Sequence, residues 1–110
     1  LENLKIKQKT EDMIKYGYVA LQQFPKSEKF SSVQDVKRTM FSLLEQIIRA
    51  NRSRDKRIAL YAIDTELEIL RTQVRLVMEL KFLPFQKYEI WSGHLSEIGR
   101  MLGGWIKSLN

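Results

Sequence analysis

The densest concentration of one chemistry in this chain is Arg49, Arg52, Arg54, Lys56 and Arg57, five cations within nine residues. Cations so spaced suit the phosphate backbone of a nucleic acid, where contact is electrostatic and independent of base sequence. If one helix runs through the stretch, Arg49, Arg52 and Lys56 share a face; if the chain turns at Asn51, the cluster fans out around a tip. A solvated turn is the reading that demands no ligand. Arg71 and Arg75 form a second group, one helical turn apart, with Asp64 and Glu68 on the same side. Glu68 at i,i+3 from Arg71 and Glu79 at i,i+4 from Arg75 offer an ordinary ion-paired helix surface as a competing use of both arginines.

Catalytic chemistry has little to draw on. His94 is the single histidine and cysteine is absent, which excludes a disulfide framework, a thiol nucleophile and a cysteine-based metal site. The carboxylates are scattered, so no catalytic residue, metal site or cofactor is expected. A helical ribonuclease would place an arginine at one of positions 87 to 89 ahead of His94, but these hold Lys87, Tyr88 and Glu89. His94 precedes the apolar-stripe residue Leu95 and reads as a surface or interface side chain. Tyr61, Tyr88, Trp91 and Trp105 could stack on bases, although both tryptophans fall on the core stripe. Gly99, Gly103 and Gly104 follow a helix rather than a strand, so they do not form a phosphate-cradling loop.

Those three glycines sit where every neighbour favours a helix. Tyr88, Trp91, Leu95, Ile98, Leu102, Trp105 and Leu109 alternate spacings of three and four, which is the core face of a bundled helix. Ser92, Ser96, Gly99 and Gly103 form a second line, roughly 110° round the same helix at about 100° per residue. Each interior glycine costs on the order of 1 kcal/mol against alanine, and close approach of another backbone is one way to offset it. The expected partner is a neighbouring subunit, with Gly17 of the first helix as an intramolecular alternative. A Gly103-Gly104 cap that simply ends the helix is the other reading.

Four helical segments must position these groups. The first runs from about Thr10 to Phe24, with Ile14, Leu21 and Phe24 inward, and Pro25 stops it. Ser31-x-x-Gln34 offers a capping box for the second helix, which carries Val33, Val36, Met40, Leu43 and Ile47. The third carries Leu60, Ile63, Leu67, Leu70, Val74 and Val77 and ends near Phe82, and Pro84 suits the first turn of the fourth. No stretch has the period of a strand. Short connections make consecutive helices antiparallel, so the expected class is all-α, an up-down-up-down four-helix bundle forming one domain over residues 1–110.

Composition agrees with a modest core and an anionic partner. Of 110 residues, 44% are apolar, and 19 Lys and Arg against 13 Asp and Glu leave a net charge of +6, which favours nucleic acid over a membrane surface. No apolar run approaches the roughly 18 residues of a membrane span. The residues from Leu1 to Lys9 are charged rather than apolar, so a cytoplasmic protein is expected.

The block from Ile98 to Trp105, with Phe24-Pro25 ahead of the second helix and Gln86-x-Tyr88 opening the last, resembles the accessory variability determinant proteins of diversity-generating retroelements. These belong to a wider group of small four-helix proteins, some of them encoded in intervening sequences of large-subunit ribosomal RNA genes. The resemblance covers about Tyr16 to Lys107, and its most specific part is the glycine-rich block ending in tryptophan. Arg71 and Arg75, in Leu70-Arg71-x-x-Val74-Arg75-Leu76, also fit the pattern. It implies a non-enzymatic homopentameric barrel that associates with a reverse transcriptase and holds its template RNA or cDNA on a basic surface. A structural bundle of the intervening-sequence type, with no retroelement role, is the alternative.

Overall fold

Three of the four apolar stripes read from the sequence face one interior as expected, and the fourth is longer than its composition suggests. The computed structural model describes residues 2–109. It comprises α1 (Glu2–Leu21), α2 (Ser32–Arg52), α3 (Arg57–Glu79) and α4 (Phe85–Ser108), with a 3₁₀ turn at Lys26–Glu28. Helices α1 and α3 each pack on both α2 and α4, so the four stand at the corners of a square. Contacts between chain ends set the directions. Phe24, just past α1, lies 6.0 Å from Phe82, just past α3, so these two helices end together. Arg57, at the start of α3, donates from Nη2 to the Leu109 carbonyl beyond α4 at 3.4 Å. The fold is an all-α, up-down-up-down bundle of 44 × 24 × 19 Å.

The stripes of α2, α3 and α4 are buried at the expected positions, from Val33 to Ile47, Leu60 to Val77 and Trp91 to Trp105. In α1, by contrast, the helix is already formed at Glu2 rather than at Thr10. Its seam is Ile6, Thr10, Met13, Gly17, Ala20 and Phe24, all buried, with Ile14 and Leu21 beside it. Two of those positions are not apolar, which hides the heptad. Thr10 becomes compatible with the core because its Oγ1 donates to the Ile6 carbonyl at 2.8 Å. Gly17 is there for space: a Cβ on it would lie 2.6 Å from Met40 Sδ and 2.9 Å from Trp91 Cζ2, well inside contact distance. Trp91 spans this gap, donating from Nε1 to Met13 Sδ at 3.4 Å.

Helix ends depart from expectation in instructive ways. Helix α1 stops at Leu21, and Gln22, Gln23 and Phe24 follow in tightened i,i−3 bonds before Pro25 takes an extended conformation. The capping box at Ser31 does not form. Ser31 Oγ and Ser32 Oγ instead donate to Glu28 Oε1 at 2.9 and 2.7 Å, and these bonds, Ser32 first, hold the Glu28 carboxyl below its ordinary pKa. Helix α3 ends at Glu79 rather than near Phe82. Phe82 N–H donates to the Val77 carbonyl and Lys81 N–H to that of Met78, a Schellman closure with Lys81 at φ 67°. Glycine usually marks that left-handed position, and a lysine there gives the sequence no such sign. Pro84 precedes α4 as its N-cap. The cap reading of Gly103-Gly104 fails, since α4 continues helical to Ser108.

Candidate nucleic-acid interface

At the α2–α3 end, the five clustered cations divide by what their head groups touch. Lys56 is half-buried and turns back under the helix it follows. Its Nζ donates to the carbonyls of Ala50, Asn51 and Ser53 at 2.9, 3.3 and 2.8 Å. These are the carbonyls a helix C-terminus leaves unsatisfied, so Lys56 is a capping group rather than a ready phosphate ligand. Arg57 reaches the end of α4, as described above. Arg49, Arg52 and Arg54 remain exposed, the first two beside Glu45 and Ile48 in a shallow depression. The chain leaves helix at Ser53, so the fan around a tip is the geometry that forms.

The second group lies in a cleft between α3 and α4 lined by Glu68, Arg71, Thr72, Arg75, Tyr88, Ser92, Leu95 and Ser96. Residues expected in two separate sites therefore meet in one place: two arginines from α3 and two serines of the small-residue line from α4. The small-residue line does have an intramolecular neighbour, contrary to expectation, and it is not Gly17. A Cβ on Gly99 would collide with the Arg71 guanidinium and touch Leu67 Cδ2 at 3.5 Å. Arg71 lies across α4 there, donating from Nη2 to the Leu95 carbonyl at 3.2 Å. Glycine at position 99 thus lets an arginine from the adjacent helix cross the backbone. Gly103 faces open space, as does Gly93. Arg75 makes the expected i,i+4 pair with Glu79, at 3.4 Å with both side chains about half exposed, which is worth little.

A third basic region was not singled out in the sequence. Between α1 and the start of α2 runs a groove lined by Tyr18, Leu21, Gln22, Phe24, Pro25, Lys26, Lys29, Val33 and Lys37. Tyr18 meets Phe41 edge to face at 6.3 Å. The available signal was Phe41, an aromatic residue outside the Val33–Ile47 stripe with Lys37 one turn before it. The aromatics considered for stacking fare differently. Trp91 and Trp105 are buried, Tyr88 is half-buried against Phe85, and Tyr61 is exposed. His94 stacks on Tyr16 with centroids 5.5 Å apart. The Tyr16 hydroxyl is buried without a hydrogen-bond partner, and burial pushes its pKa up.

Fold and surface together define a small basic helical bundle with cation-lined clefts. Among the described residues, no His, Asp and Glu cluster could hold a metal ion, and no helix is long and apolar enough to cross a membrane. Over residues 4–109 the chain matches the model of the bAvd-like family, and it belongs to that family. The match extends beyond the Tyr16–Lys107 resemblance into the first turns of α1. No curated protein matches the chain.

Proposed function

We propose that this protein is a non-enzymatic accessory factor of a diversity-generating retroelement, holding template RNA or its cDNA electrostatically while bound to the retroelement reverse transcriptase. The observation that carries this reading is the family match over nearly the whole chain. Charge supports the nucleic-acid half: the net charge is +6, and among the described residues Arg49, Arg52 and Arg54 form no ion pair. Assembly into a homopentamer in the cytoplasm belongs to the same proposal. It fits the outward apolar residues of α3 and its C-cap, where Ile58, Ile69, Leu76 and Leu80 are all exposed, since such a face commonly marks a contact between proteins.

Two measurements test the reading. Co-expression with the reverse transcriptase of its proposed retroelement, followed by affinity capture, is expected to recover both proteins with RNA. Recovery of this protein alone would leave a structural bundle without a retroelement role. In a salt series from about 50 to 200 mM, affinity for nucleic acid should fall steeply, because counterion release dominates such contacts. Arg52→Gln and Arg54→Gln should each lower the slope of log affinity against log salt by about one. A flat response would remove nucleic acid from the proposal.

A further inference from the structure

The groove between α1 and the start of α2 has features that charge attraction alone does not require. Its floor is apolar, from Leu21, Phe24 and Val33, and its rim carries Lys26, Lys29 and Lys37 with no acidic residue in the lining. Among the described residues, none of these three lysines pairs with a carboxylate. The other two basic regions are diluted: Glu68 stands among Arg71 and Arg75, and Glu45 beside Arg49 and Arg52. Next to the groove, Tyr18 and Phe41 are 39% and 44% exposed, so neither ring is there to fill the core. The Lys37 ammonium rests 4.6 Å from the Tyr18 ring centroid, so one π face of this ring is covered only by a flexible cation that an incoming group can displace.

We infer that this groove binds single-stranded nucleic acid, with a base stacked on the Tyr18 ring, which Phe41 holds edge to face, and the adjoining phosphates on Lys26, Lys29 and Lys37. The inference rests on the nucleic-acid reading above and adds a strand preference to it. A duplex keeps its base faces stacked internally and presents only phosphates to this surface. A single strand presents both, and an aromatic platform beside a cationic rim matches the pair. A base arriving on Tyr18 displaces Lys37 from the ring, and its flexible stem carries the ammonium to the neighbouring phosphate.

Fluorescence anisotropy on the full chain tests this with three probes of equal length: single-stranded oligouridylate, an abasic sugar-phosphate strand and a duplex. The Tyr18→Ala, Phe41→Ala double variant should lose roughly 5- to 100-fold in affinity for oligouridylate, the effect of removing about one stacked base. Its binding to the abasic strand and to duplex should be unchanged, and Tyr18→Phe should behave as the parent. Lys26→Gln with Lys29→Gln should flatten the salt dependence on every single-stranded probe. Undiminished oligouridylate binding by the aromatic double variant overturns the groove and leaves the electrostatic reading standing. Equal losses on all three probes also overturn it, as would polyglutamate competing as well as oligouridylate. Failure of the unaltered protein to bind any probe at about 50 mM salt overturns both readings together.

Discussion

Gly99 and Arg71 are best understood as one unit. An alanine at 99 gains about 1 kcal/mol of helix propensity, but its Cβ evicts the guanidinium from the Leu95 carbonyl. A hydrogen bond from a charged donor is worth about 1.5–3 kcal/mol, and a half-exposed one belongs at the low end of that range. The two effects nearly cancel, so Gly99→Ala should leave stability within about 1 kcal/mol of the parent. In an Arg71→Ala background nothing remains to evict, and the same change should stabilise by about 1 kcal/mol. Urea denaturation of the four proteins closes the cycle. An identical effect of Gly99→Ala in both backgrounds would show that arginine and glycine are uncoupled.

At the scale of elements, Lys56 decides how α2 ends. Its ammonium gathers three carbonyls at a helix C-terminus, where a cation is also favoured by the macrodipole. Lys56→Met is therefore expected to lower unfolding stability by about 1–2 kcal/mol with little effect on the salt slope of nucleic-acid binding. Arg54→Met should do the reverse, staying within about 0.5 kcal/mol in stability while flattening the slope. Denaturation and salt titration on both variants separate the roles, and matching profiles would contradict the division. Elements with an unbroken apolar stripe, α2, α3 and α4, were legible in the sequence because periodicity alone places their large apolar residues inward. The first half of α1 was not, because Thr10 and Gly17 interrupt its seam for reasons that lie in other helices. Helix ends were the least legible: Lys81 occupies a glycine position, and Glu28 takes the serine hydroxyls that a capping box would use. The same limit hid the site. Arg71 and Arg75 could be named from sequence, but not that Arg71 would cross Gly99 beside Ser92 and Ser96, nor that Tyr18 would meet Phe41.

For the whole molecule, the open surface of α4 bears on assembly. Among the described residues, nothing beyond the adjoining turns of α4 lies within 4 Å of a Cβ built on Gly103. In a lone protomer, Gly103→Leu should simply strengthen the helix, by about 0.8 kcal/mol. In the proposed homo-oligomer, with the open surface at Gly103 toward a neighbour, the same leucine should dissociate the assembly while helical signal holds. Light scattering beside circular dichroism reads both. Persistence of the full assembly would shift the contact to another surface, the outward apolar face of α3 being the nearest candidate.

The antiparallel arrangement also sets the molecule's reach along a strand. Lys26 and Lys29 precede α2 and Arg52 and Arg54 follow or close it, so its 21 residues hold the two basic regions about 30 Å apart at 1.5 Å rise per residue. For a strand whose bases stay stacked, rising roughly 3.4 Å per nucleotide, the proposed binding would need about nine nucleotides to cover that distance. A shorter stacked fragment would occupy one end or the other without reaching both. On the proposed nucleic-acid reading, α2 then serves as a spacer whose two ends are coupled only through a strand longer than the helix itself.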